Sequence, residues 1–303
     1  MSQQSFLDPN GFIVKNNERN VAHDWMEPDN EAWYDRITER FGIAWNYANT
    51  KSKLTYTYNS DGFRDDKLLQ DIQYEPYIVT LGSSPIEGGG VAYEDTFQQK
   101  LQRTINTPVY NMGVAGFSNL EQMHNFVNLV TNYNAPKAVI MQSVLPQLFS
   151  VPDPSEKDKM VTVGPWTLAY REGIERTRGK EWADNAIQSL HLREATGVDE
   201  LEQHIYFKLA ENICKDKGIQ LIILEISSPD PMKDKVNCDW LTISGPYDRD
   251  MEVFKQQFLK SVFYSDDEEE NILFNVNKYA RDLFHAGDWW HTEAADKLSQ
   301  VIK

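Results

Sequence analysis

Tyr77-Ile-Val-Thr-Leu-Gly-Ser-Ser-Pro-Ile-Glu-Gly-Gly-Gly-Val91 is the stretch that decides the fold. Its first half is short, apolar and β-branched, the pattern of a buried strand. The run stops at Gly82, two serines follow, and Gly88, Gly89 and Gly90 keep the chain open before a helical pattern begins at Asp95 and Thr96. A serine placed where a buried strand ends and turns can present its hydroxyl at the carboxyl edge of a sheet, the edge where open α/β sheets place their ligands. Spacing excludes other glycine-rich sites. Neither a P-loop nor the dinucleotide fingerprint Gly-x-Gly-x-x-Gly is present, and Ile86 stands where Gly-x-Ser-x-Gly needs its second glycine. Taken alone, the stretch also reads as an ordinary glycine-rich turn.

Working outward, strand and helix patterns alternate from residue 77 on, which predicts a parallel sheet covered on both faces. Strands are expected at 77–82, Pro108–Met112, Lys137–Gln142 and Ile219–Ile226, with a short last one at Ile272–Phe274. Helices are expected at 95–106 and after the Ser118/Glu121 capping-box pattern, with Leu120, Met123, Val127 and Val130 facing inward. Another should bury Leu201, Ile205, Leu209 and Ile213 and end at Gly218. Further helices are read near Asp250–Phe263 and from an N-cap at Thr292, while Trp240 falls in a loop.

Residues 146–198 break this rhythm with several prolines and many charges, and read as an insertion after the third strand, either a lid or a passive excursion. Residues 1–76 read as an N-terminal extension packed on the main domain at 77–303. It carries a helix at Asn30–Phe41, a short strand at Thr55–Tyr58, and Trp25, Trp33 and Trp45 as core.

Composition narrows the classes. With 303 residues, 41% hydrophobic and 12% aromatic, the chain can bury a sizeable core. A formal net charge of −16 repels phosphate backbones and anionic lipids, so neither nucleic acid nor membrane is expected as a partner. Cys214 and Cys238 read as free thiols of a reducing compartment, with a single disulfide as the alternative. No signal-peptide pattern is seen at the N-terminus, and no apolar run has spanning length, so a soluble cytoplasmic protein is the expectation. Asp266–Glu270 reads as a solvated acidic turn. His23, His124, His191 and His204 show no metal-ligand spacing.

The tail carries the chemistry. Two Asp-x-x-His units follow one another, Asp282/His285 and Asp288/His291. A carboxylate three residues before an imidazole can accept its Nδ1–H, leaving Nε2 to take a proton and stabilising the imidazolium that forms. A serine hydroxyl becomes a useful nucleophile only beside such a base.

Together these pieces resemble the SGNH/GDSL hydrolase family over roughly residues 59–303. Gly82-Ser-Ser84-Pro-Ile-Glu-Gly88-Gly-Gly90-Val91 is similar to the first block, Gly-Asp-Ser-x-x-x-Gly-x-Gly-Val, and Asn59-Ser-Asp-Gly-Phe-Arg64 to a common lead-in. Asn111-Met-Gly113-Val-Ala-Gly116-Phe-Ser118 matches Asn-x-Gly-x-x-Gly-x-Ser, and an Asp-x-x-His precedes a terminal helix. The resemblance implies an α/β fold, a flavodoxin-like three-layer α/β/α sandwich of about five parallel strands. It also implies a serine esterase or acyl hydrolase working through an acyl-enzyme on a small-molecule or glycan ester, O-acetyl on a carbohydrate among them, with no cofactor. Ser84 would be the nucleophile, the N–H groups of Ser84 and Gly113 oxyanion donors, and Asp282/His285 the preferred base pair, with Asp288/His291 the alternative.

Two blocks depart from the pattern. Ser83 replaces the aspartate before the serine, and the Gly-x-Asn after the third strand is missing, leaving Gln142 or Gln147 as candidates for the third oxyanion donor. A catalytically degenerate binding protein and an acyltransferase to a sugar acceptor are therefore the alternative readings.

Overall fold

The computed structural model describes residues 10–14, 20–25, 29, 31–51, 54–153, 160–169, 171–226, 233–243, 276–282 and 285–303. In chain order, a two-residue pairing of Ala22–His23 (β1) with Tyr56–Thr57 (β2) brackets helix Glu31–Phe41 (α1), and Leu69–Ile72 (α2) follows. Then come Ile78–Gly82 (β3), Ser84–Glu87 (α3), Phe97–Ile105 (α4), Val109–Gly113 (β4), Asn119–Asn132 (α5) and Ala138–Gln142 (β5). A hairpin of Phe149–Pro152 (β6) and Met160–Val163 (β7) leads into Trp166–Ala169 (α6), Arg171–Arg178 (α7) and Lys180–Thr196 (α8). Val198–Lys217 (α9), Gln220–Glu225 (β8), Asp239–Thr242 (β9) and Asp288–Val301 (α10) complete the described elements.

Five strands form one parallel sheet in the order β4-β3-β5-β8-β9. This is the flavodoxin-like order, second-first-third-fourth-fifth, within an α/β/α sandwich. The two-residue period of a strand sorts the side chains. Val79, Leu81, Tyr110, Met112, Val139, Met141, Leu221 and Ile223 point to one face and bury α5 and α9. Ile78, Val109, Ala138, Ile140, Ile222 and Leu224 point to the other and bury α4 and α10. Both faces are apolar because both are covered, so the strands read as continuous apolar runs. At the outer strand the Asp65 carboxylate accepts the Asn111 N–H at 2.8 Å.

Several expected details differ. The fifth strand is β9, so Trp240 lies in a strand, not a loop; the expected helix near 250–263, the acidic run at 266–270 and the expected strand at 272–274 lie outside the described residues. The final helix starts at Asp288 and not after Thr292, whose hydroxyl instead bonds back to the Asp288 carbonyl at 3.0 Å.

On α5, Met123 and Val130 are buried as expected, but Leu120 and Val127 are exposed, and Phe126 and Leu129 take their place. On α9, Leu201, Ile205 and Leu209 are exposed, while Gln203, Phe207, Ala210 and Cys214 face inward. The cause is the same on both helices. Asn119 and Gln122 of α5 donate to the carbonyls of Val144 and Gln142 at 3.1 and 2.9 Å, and Gln203 of α9 donates to the Val144 carbonyl at 3.2 Å. Amides that satisfy an otherwise unpaired buried backbone turn each helix toward the loop after β5. The Ser118/Glu121 capping box does form.

Cys214 and Cys238 are free thiols, and burial pushes both up to about 12, which keeps them protonated. Among the described residues, no helix is long and apolar enough to cross a membrane.

Candidate active site

The sheet order reverses beside β3: the chain leaves β3 for β4 on one side, and β5 lies on the other. The crevice at such a switch point, outside the carboxyl ends of the strands, is where open α/β sheets bind ligands. Ser84 stands there. It opens the single turn α3 directly after β3, with Ser83 as its N-cap and Pro85 behind it. At this first helical position a backbone N–H has no acceptor within the helix.

The surroundings of α3 explain the small residues. A Cβ on Gly82 would stand 2.4 Å from Ile86 Cγ1 and 2.6 Å from Gln142 Cβ, and one on Gly113 only 2.4 Å from the Glu87 nitrogen. The ends of β3, β4 and β5 therefore press directly on the turn that carries Ser84. Gln142 is buried, and its Oε1 accepts both the N–H and the hydroxyl of Ser83, at 2.8 and 3.0 Å. This anchors the turn and fixes which end of the amide remains for a ligand. The Gly113 N–H donates to Asn111 Oδ1 at 2.9 Å, so using it as an oxyanion donor requires that bond to open.

After α3, Gly88 ends the helix in the left-handed region at φ 87°, where a side chain is strained. The loop Gly88–Val91 is held from one side by Arg64. Its buried guanidinium donates to the carbonyls of Gly88 and Val91, the latter at 2.7 Å, and lies 4.5 Å above the Tyr56 ring. From the other side come Ala280, Arg281, Asp282 and His285. The Arg281 N–H donates to the Gly90 carbonyl at 3.0 Å, and the Ala280 N–H to the His285 carbonyl at 2.8 Å. A Cβ on Gly89 would stand 2.7 Å from His285 Nδ1, and one on Gly90 2.9 Å from Asp282 Cγ. Gly89 in turn donates its N–H to the Ser84 carbonyl at 3.1 Å. Asp282 and His285 thus reach the segment that carries Ser84, and only glycine leaves room for them.

The two Asp-x-x-His units part company here. Asp282 Oδ2 bonds His285 Nδ1, and Asp282 Oδ1 accepts the His285 backbone N–H at 2.9 Å, with both residues buried. The carboxylate assigns the proton to Nδ1, leaving Nε2 as the basic nitrogen. In the second unit, Asp288 turns outward to an ion pair with Lys100 at 2.8 Å. His291 turns inward, stacks on Phe97 with centroids 6.1 Å apart, and accepts the Phe97 N–H on Nδ1 at 3.1 Å. Burial, then the charges of Arg64, Lys100 and His285, lower its pKa to about 3. The imidazole is therefore neutral, with its Nδ1 already occupied as a backbone acceptor.

Arg281, next to Asp282, is fully buried against Asp29. Its Nε donates to both carboxylate oxygens at 3.1 and 2.9 Å, its Nη1 to the Thr50 carbonyl at 3.0 Å, and its guanidinium covers Trp25 at 4.0 Å. The hairpin β6–β7 packs on the segment between β4 and α5: the Ser150 hydroxyl donates to Glu121 Oε2 at 2.7 Å, and the Thr162 hydroxyl to the Gly116 carbonyl. Among the described residues no cluster of His, Cys, Asp and Glu has the arrangement of a metal site. In the sequence Arg64 belongs to the lead-in motif, and Glu87 is an unassigned position between the serine and the glycines. Their burial beside Ser84 is what brings them into the site.

No family model matches the chain, and no curated protein matches it. Solved structures do. A protein assigned to the G-D-S-L lipolytic family from Desulfitobacterium hafniense DCB-2 aligns at 13% identity and TM-score 0.35, covering 75% of this chain and 99% of its own. One assigned as an SGNH hydrolase from Slackia heliotrinireducens aligns at 12% identity and TM-score 0.36, covering 75% and 99%. A two-domain esterase active on acetylated mannans aligns at 11% identity and TM-score 0.36, covering 76% of this chain and 50% of its own.

Proposed function

We propose that the chain is a serine esterase of the SGNH type, with Ser84 as nucleophile, His285 as general base and Asp282 as its orienting carboxylate. One observation carries the reading: a buried carboxylate–imidazole pair packs on the glycine loop that closes the Ser84 turn. In the proposed reaction Ser84 Oγ bonds to the acyl carbon as its proton passes to His285 Nε2. The carbonyl electron pair moves to the oxygen, which the Ser84 N–H receives. Collapse breaks the bond to the alcohol, which leaves with the proton from His285. Water repeats the cycle on the acyl-enzyme and frees the acid. Gln142, its oxygen anchored on Ser83, offers its NH₂ as a further donor to the developing charge. An O-acetyl group on a carbohydrate is the substrate class to test first, on the strength of the sequence resemblance.

A second reading is supported by the engaged Gly113 N–H: a protein that binds a glycan ester or a partner in this cleft without hydrolysing it. Labelling by a fluorophosphonate together with hydrolysis of p-nitrophenyl acetate separates the two. The esterase reading expects both signals in the wild type and neither in Ser84→Ala. Folded wild-type protein that gives neither signal leaves the binding reading.

A further inference from the structure

Glu87 is buried to 1% exposure and has no part in the reaction just described. It lies on α3, three residues after Ser84. Its Oε1 accepts the Tyr58 hydroxyl at 2.7 Å, and its Oε2 accepts the Ala115 N–H at 2.9 Å. Its carbonyl receives Arg64 Nη1 and Asn111 Nδ2, each at 3.4 Å. One residue of the Ser84 turn thus touches the segment before the sheet and the loop leaving β4. A carboxyl in a dry interior is costly, and an apolar side chain would fill the same space with less desolvation. What an apolar side chain cannot do is fix the loop after β4 relative to Ser84. That loop leaves the carboxyl end of β4, beside the position where a tetrahedral oxyanion would form.

We infer that Glu87 is a positioning residue: its carboxyl holds the Ala115 segment in register with Ser84 and is itself held by Tyr58. The inference rests on the esterase reading of Ser84. Misplacement of a reacting group by about 1 Å can cost about 10²-fold in rate, so the effect belongs in kcat, with KM little changed. Glutamine can keep both contacts, its carbonyl accepting from Ala115 and its NH₂ donating to the Tyr58 oxygen, because a hydroxyl oxygen can also accept.

The test compares Glu87→Gln, Glu87→Ala and Tyr58→Phe with the wild type, by p-nitrophenyl acetate kinetics and by hydrogen exchange at the Ala115 amide. Positioning predicts that Glu87→Gln keeps kcat within about threefold, that Glu87→Ala loses about 10²-fold with KM within about threefold, and that Tyr58→Phe falls between. Ala115 exchange should quicken at least about tenfold in Glu87→Ala and stay slow in Glu87→Gln. A folded Glu87→Ala with wild-type kcat overturns the inference, and so does a Glu87→Gln as impaired as the alanine. If Glu87→Ala does not fold, Tyr58→Phe decides, and wild-type kcat there overturns it. If the wild type itself hydrolyses nothing, the esterase reading fails separately, and unchanged Ala115 exchange in Glu87→Ala then ends the positioning claim too.

Discussion

Asp282/His285 and Asp288/His291 share a spacing and lie six residues apart in the chain, yet they do opposite things. The first pair is bracketed by the Ala280–His285 backbone bond and the Tyr279–Ala286 bridge, and its carboxylate and imidazole face each other. The second pair sits on the first turn of α10, where the helix packs against α4. There Lys100 draws the aspartate outward, while the Phe97 N–H draws the histidine inward. A three-residue spacing therefore specifies proximity, and the neighbouring elements decide whether proximity becomes a pair.

Substitution is the sharpest way to break this contrast. His285→Ala should lower kcat/KM by about 10³-fold or more, and Asp282→Asn by about 10²–10⁴-fold, because the amide no longer assigns the tautomer. Asp288→Asn should stay within about threefold, since its Lys100 ion pair is solvent-exposed on the aspartate side. Equal losses from Asp282→Asn and Asp288→Asn would erase the distinction.

A milder probe leaves both pairs chemically intact. Gly89→Ala puts a methyl group 2.7 Å from His285 Nδ1, so either the loop or the imidazole must move. A loss of about 10²-fold in kcat is expected from such a shift. Gly173→Ala, which would meet nothing within 4 Å, should leave kcat unchanged and serves as the control.

The smallest effect concerns the second histidine and is read in stability. His291 stays neutral when folded because its pKa is about 3, against 6.5 for an unperturbed histidine. Between these values the unfolded chain binds a proton that the folded one does not. Its contribution to stability is therefore full above pH 6.5 and is lost as pH falls below it. The slope approaches about 1.4 kcal/mol per pH unit for one group. His291→Asn keeps an acceptor for the Phe97 N–H and removes the titration. Denaturant melts from pH 7 to 4 should therefore show the wild type losing stability faster than the variant. Parallel curves would mean that His291 is not buried as a neutral base.

β9, half polar and only partly buried, reads as loop in the sequence, but the other four strands were legible because each is short, apolar and flanked by glycine or polar breaks, and the Ser84 turn because it is compressed into a few small residues. Helix orientation was not. Apolar spacing placed Leu120, Leu201, Ile205 and Leu209 inward, but buried amides at Asn119, Gln122 and Gln203 rotate those helices toward backbone carbonyls. Hydrophobic period alone does not register a polar residue that is inside because it has a partner. The linear motif ranked Asp282/His285 above Asp288/His291 but did not show which imidazole faces its own carboxylate, nor did it single out Glu87, since both depend on residues far away in the chain.

The buried Arg281–Asp29 contact joins positions 252 residues apart, and it adjoins Asp282. On the proposed reading, a ribosome must release the chain through His285 before the base can dock beside the serine. A nascent chain stopped short of that point would carry its nucleophile unarmed, and ester turnover would report that the 281–285 segment had come home.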